Sequence, residues 1–203
     1  MSLLSLRNAI AFTFAAALGS VHATEILAPG SVWEYTHVDP TANANWKTTT
    51  GGWATSPAPF GNTTGGEFGI TAPGSYWEAN GTLGDDLWVR RNLDLTGWDL
   101  TSIVYGLGVD NGFKLYINGT LIASDNAEGF TSRWEYTGAI AAGYLHTGNN
   151  VIAVALEDHG GLTAFDMHVA GNAIPPVPEP TTCALMGLGL LGMGLAARRS
   201  RKG

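Results

Sequence analysis

Residues 109–119 read VDNGFKLYING, and this stretch decides the fold. Phe113, Leu115 and Ile117 alternate with Lys114 and Tyr116. A period of two sends the first set to one face of a strand and the second set to the other. Asn118-Gly119 ends the run with the positive φ angles that a two-residue hairpin needs, and Asp110-Asn111-Gly112 precedes it with a second turn signal.

Working outward, LWVRRNLDL (87–95), TSIVYGLGV (101–109), NVIAVALED (150–158) and TAFDMHVAG (163–171) read as further strands. Turn residues punctuate them at short intervals, as in Gly148-Asn149-Asn150, and the body carries no long apolar period of 3.6. An all-β chain follows, with short antiparallel strands stacked as a sandwich. Residues 39–82 differ, being Gly, Thr, Asn and Pro with spaced aromatics. They read as long surface loops pinned by Trp46, Trp53 and Phe60.

Both ends carry address segments. Residues 1–23 have one basic residue, Arg7, an apolar stretch from Ala9 to Leu18, and small residues at Val21 and Ala23. This is the layout of a secretory signal peptide, with cleavage expected between Ala23 and Thr24. At the other end, Thr181 to Ala197 is uncharged, and as a helix these residues span about 26 Å, enough for a thin bilayer core. Arg198, Arg199, Arg201 and Lys202 follow and hold that end in the cytoplasm. A C-terminal transmembrane helix is expected, anchoring the body outside.

The three segments are thus 1–23, a β-sandwich over 24–173, and 174–203 as linker, hydrophobic helix and basic tip. Gly187 to Gly192 reads GLGLLG, which matches a dinucleotide fingerprint by spacing alone. No strand precedes it and no β-α-β unit surrounds it, so the glycines read as small residues of a membrane helix.

Between Thr24 and Pro176 five Lys and Arg stand against sixteen Asp and Glu, a net charge of −11. Nucleic acid is excluded as a partner of the body, because phosphate binding needs clustered cations. The lone cysteine, Cys183, lies in the tail, so the body has no disulfide and must be held by its core.

Val177-Pro178-Glu179-Pro180, the short apolar run and the basic cluster resemble, in that order, the PEP-CTERM sorting signal of Gram-negative, exopolysaccharide-producing bacteria. That resemblance implies an exosortase-type transpeptidase as partner. The protein would pass through the inner membrane, be anchored there transiently, and then be released to the cell surface or extracellular matrix. The body has its own resemblance. VWEY (32–35), LWVRRNLDL, VDNGFKLYING, WEY (134–136) and GNNVIAVALED (148–158) are similar in order to galactose-binding-like jelly rolls, such as the sugar-binding domain of β-galactosidase-type glycosidases.

No residue set in the body points to catalysis. Asp85 and Asp86, adjacent in a strand, would face apart. Glu157, Asp158 and His159 lie at a strand exit, but His159 has no second histidine at ligand spacing, and Asp166 and His168 fit a polar outer face. No metal, cofactor or nucleophile motif is expected. Seven tryptophans offer stacking surface for sugar rings. Trp33 and Trp88 read as core, Trp53, Trp77 and Trp98 as loop residues, and Trp134 fits either reading.

A binding site is therefore expected in loops at one end of the sandwich, from Trp53, Trp77, Asp110, Asn111 and His159. The expectation is an exported, non-catalytic carbohydrate-binding protein associated with exopolysaccharide. The alternatives are a structural matrix component without a small ligand and a small secreted glycan hydrolase or lyase. N-x-T sites at Asn62, Asn80 and Asn118 are incidental in a bacterial chain, and Asn118 is better explained by its hairpin.

Overall fold

Alternating strands with one apolar face can bury it only against a second sheet. The computed structural model, which describes residues 23–78, 86–126, 129, 132–175 and 187–190, has this arrangement. Eleven strands are named here in chain order among the described residues. They are β1 (Thr24–Leu27), β2 (Val32–Thr36), β3 (Ala54–Pro57), β4 (Phe60–Gly61), β5 (Leu87–Asp94) and β6 (Val104–Asp110). Then come β7 (Gly112–Ile117), β8 (Thr120–Asp125), β9 (Tyr136–Ala139), β10 (Asn149–Glu157) and β11 (Ala164–Gly171).

One sheet has the order β1-β11-β6-β9, with β4 also paired to β11, and the other has the order β3-β2-β5-β10-β7-β8. All pairings between named strands are antiparallel. The five clearest strands expected from sequence are all present. Between the sheets lie Trp33, Phe60, Leu107, Phe113, Leu115, Ile117, Val154 and Phe165, all buried. Trp33 meets Phe165 edge-on at 5.3 Å, which packs one ring's rim against the other's face.

Three expectations need correction. Asp110-Asn111-Gly112 is a corner and not a hairpin turn, because β6 belongs to the five-stranded sheet and β7 to the six-stranded one. Asn118-Gly119 is the true hairpin turn, with φ of 49° and 85°, joining β7 to β8. Its amide also holds the fold together: Asn118 Nδ2 donates to Tyr144 O at 2.8 Å, and Oδ1 accepts from Val151 N at 2.9 Å.

Of residues 39–82, the described ones up to residue 78 are more ordered than surface loops. They contribute β3, β4 and a 3-10 turn at Ala44–Lys47, and Phe60 is core. The third correction concerns Asp166 and His168, which do not form a solvated face. Asp166 is fully buried and accepts from Gly30 N at 3.1 Å and Arg133 Nη2 at 2.5 Å. Trp134 packs on the His168 ring at 4.6 Å. Gly106 and Gly108, opposite His168 and Asp166 on β6, leave the depth this covering needs, since a Cβ there would collide with the His168 ring or with Arg133 O.

Thr24 begins β1 and pairs with Gly171, so the expected cleavage point coincides with the start of the first strand. Backbone pairing runs on to Ile174, whose N–H donates to Gly97 O at 2.8 Å. The signal peptide up to residue 22 lies outside the described residues, as do Pro178, Glu179, Pro180, Arg198, Arg199, Arg201 and Lys202. Residues 187–190 are helical. Among the described residues no helix is long and apolar enough to cross a membrane.

Candidate functional site

The outer face of the six-stranded sheet carries an aromatic cluster separate from the main core, and strand register places it. Trp88 on β5 sits opposite Ala155 on β10, which sits opposite Lys114 on β7. One row along, Arg90, Ala153 and Tyr116 are aligned in the same way. Two alanines on the central strand between long side chains leave a trough. The segment containing Ala44–Lys47 arches over it and inserts Trp46, whose ring stacks on Trp53 at 6.3 Å and meets Tyr116 edge-on at 5.6 Å.

Arg90 ties this arch down. Its Nη1 donates to Trp46 O at 3.2 Å, its Nη2 to Gly51 O at 2.7 Å, and its Nε to Glu34 at 3.0 Å. A planar fork with five donors is suited to satisfying carbonyls and a carboxylate together. What remains open is a cleft of about 430 Å³ lined by Trp46, Trp88 and Tyr116, with Asp39, Lys47, Asp86, Lys114 and Glu157 supplying charge. That volume lies within the usual range for small-molecule sites.

Lys114 Nζ is ion-paired with Glu157, and Lys47 Nζ lies 4.5 Å from the centre of the Tyr116 ring. The pairing with Glu157 holds the Lys114 ammonium above its ordinary pKa. Asp86 Oδ1 accepts from Asp158 N at 3.1 Å. Burial, with repulsion from Glu157 and Asp158, pushes the Asp86 carboxyl above the ordinary aspartate value despite that hydrogen bond. Trp46 and Trp88 are themselves buried, so the half-buried Tyr116 ring is the aromatic surface left beside donors and acceptors at fixed positions.

The residues expected to form a site divide. Trp53 is half-buried and stacked behind Trp46 at the cleft. Trp77 is the correction: at 0% exposure it is core, and its ring offers no stacking face. Asn111 and His159 do come together, but as structure, with buried Asn111 accepting from His159 N at 2.9 Å. Asp110 is also buried and lines a separate cavity of about 170 Å³ with Phe68, Leu162 and Thr163. His159 Nε2 lies 3.7 Å from Glu157 Oε2, at the edge of the cleft chemistry.

Sequence reasoning missed Lys114, Tyr116, Trp46 and Trp88 as site residues. Trp88 is buried as expected, but in the outer cluster. The signal was present in LWVRR, where Leu87 and Val89 take the inner face and so send Trp88 and Arg90 outward.

Known proteins bear on both parts of the chain. Residues 176–202 match the PEP-CTERM protein-sorting motif. The motif marks a chain that is exported and sorted to the surface by an exosortase-type enzyme. The sandwich resembles part of a β-glucuronidase from an uncultured Clostridium sp., with 11% identity and a TM-score of 0.50, covering 79% of this chain and 31% of that one. Ruminococcus gnavus β-glucuronidase in complex with a C6-substituted uronic isofagomine gives 13% identity and a TM-score of 0.49, over 78% and 30% of the two chains.

At such identities the likeness is one of fold alone, in keeping with the galactose-binding-like jelly roll expected. The chain spans less than a third of the length of those enzymes. No curated protein matches the sequence.

Proposed function

We propose that the exported sandwich is a non-catalytic carbohydrate-binding module of the cell surface or extracellular matrix, associated with exopolysaccharide. The observation that carries this is the cleft on the six-stranded sheet, where Trp46, Trp88 and Tyr116 adjoin Lys47, Lys114 and Glu157. The half-buried Tyr116 ring offers an apolar surface to the C–H side of a sugar ring, while paired charges donate to and accept from hydroxyls. The inner membrane holds the chain by its tail until the sorting enzyme acts on Pro178, Glu179 and Pro180.

Hydrolysis is the second reading, and one observation favours it. Asp86 and Glu157 line one cleft, and glycosidases act through a pair of carboxyl groups flanking the scissile bond.

Affinity electrophoresis of the full chain, in a detergent without a sugar head group, through gels containing neutral or acidic polysaccharides tests the proposal. Retardation by a polymer that stays intact is the expected result. Lys114→Ala should weaken it while stability changes by no more than about 1 kcal/mol, since the pair it breaks is exposed. Absence of retardation by every polymer supports the structural-matrix alternative, and shortening of a polymer supports hydrolysis.

A further inference from the structure

The cleft adjoins a second cavity at its β7 side. Lys114 and Glu157 line both, and the second, more open and of about 480 Å³, is bounded by Ser124, Asp125 and Asn126 at the end of β8. Register explains the adjacency. Lys114 is opposite Ser124 on one side and Ala155 on the other, and Ala155 is opposite Trp88. The depression therefore crosses β5, β10, β7 and β8. Three strand spacings make about 14 Å, longer than one sugar ring.

Its charge is one-sided. Asp39, Asp86, Asp125 and Glu157 line the two cavities against Lys47 and Lys114, a formal balance of −2. Lys114 is already neutralised by Glu157. A carboxylate-bearing sugar would meet repulsion here, whereas hydroxyls gain acceptors.

Resting on the carbohydrate-binding reading, we infer that this groove takes an internal stretch of a neutral polysaccharide, laid across the strands, and not a chain end or an acidic sugar. Half-buried Tyr116, backed by buried Trp88, marks the stacking end, and the Ser124 side takes the continuation of the chain. A pocket for a chain end would be walled at one side, whereas here a second cavity adjoins the first across the shared Lys114 and Glu157 side chains.

The test uses the full chain and named probes: mixed-linkage β-glucan, xylan, galactomannan and dextran as neutral polymers, alginate and polygalacturonate as acidic ones. Calorimetry then follows the di-, tetra- and hexasaccharides of whichever polymer is retained. A neutral polymer should be retained, and the hexasaccharide should bind at least about tenfold more tightly than the disaccharide. Ser124→Tyr should remove most of that gain. Equal affinity for the two lengths, or retention by the acidic polymers alone, overturns the inference while leaving carbohydrate binding in place. Retention of none of the six overturns both.

Discussion

The guanidinium carbon of Arg90 lies 3.8 Å over the ring of Trp53. That contact joins the sheet to the arch above the cleft, because the same guanidinium donates to Trp46 O, Gly51 O and Glu34. Gly51 N–H in turn donates to the Glu34 carboxylate at 2.6 Å. One buried cation thus fixes both the arch and the aromatic wall.

Replacing Arg90 with Met should lower stability by about 3 kcal/mol, because the Glu34 carboxylate and two carbonyls lose their donor. Arg90→Lys should recover only part of this, since an ammonium cannot serve three acceptors in one plane or stack on Trp53. Urea unfolding of the three proteins measures it. Full recovery by Lys would show that charge alone suffices.

The fold was legible because period two and Asn-Gly turns are local. Phe113, Leu115 and Ile117 announce a strand without reference to anything distant. What a local signal cannot tell is which sheet a strand joins, and Asp110 to Gly112 serves equally as a hairpin turn or a corner. The cleft depends on register between β5, β10 and β7, so Trp88, Ala155 and Lys114 become neighbours only after folding. Asp166 shows the same limit, since alternation gives its side of the sheet but not the covering by Arg133, which stands 33 residues away.

Trp77 separates packing from binding. Its ring is fully buried, and its carbonyl accepts from Thr163 Oγ1 at 2.5 Å. Trp77→Ala should cost about 3–5 kcal/mol in stability through lost contacts and the cavity left behind. Thermal melting measures this. A variant that melts like the parent would return Trp77 to the surface, against its packing.

The sorting motif should act independently of the sandwich, since among the described residues the last backbone pairing of the body is at Ile174 and the motif begins at residue 176. Changing Pro178, Glu179 and Pro180 together to Ala should leave the chain in the inner-membrane fraction with an unchanged melting curve. Fractionation in a host that has an exosortase-type enzyme checks this. Normal surface delivery would show that the apolar run, and not the motif, is the address.

Asp86 predicts a pH dependence of definite sign. Burial raises its pKa above the ordinary 3.8, and the Glu157 and Asp158 carboxylates add to the effect. Between the unfolded and the folded value the folded chain holds more protons, so this group lowers stability as pH rises through that window. Below 3.8 the penalty vanishes, and above the folded value it is present in full. Asp86→Asn keeps an oxygen to accept the Asp158 N–H and carries no charge, so it should melt higher than the parent at pH 7. The difference should shrink as the pH is lowered through the window. Melting curves at pH 3 to 8 measure it, and a difference that stays constant across the series would mean that the amide acts through packing and not through charge.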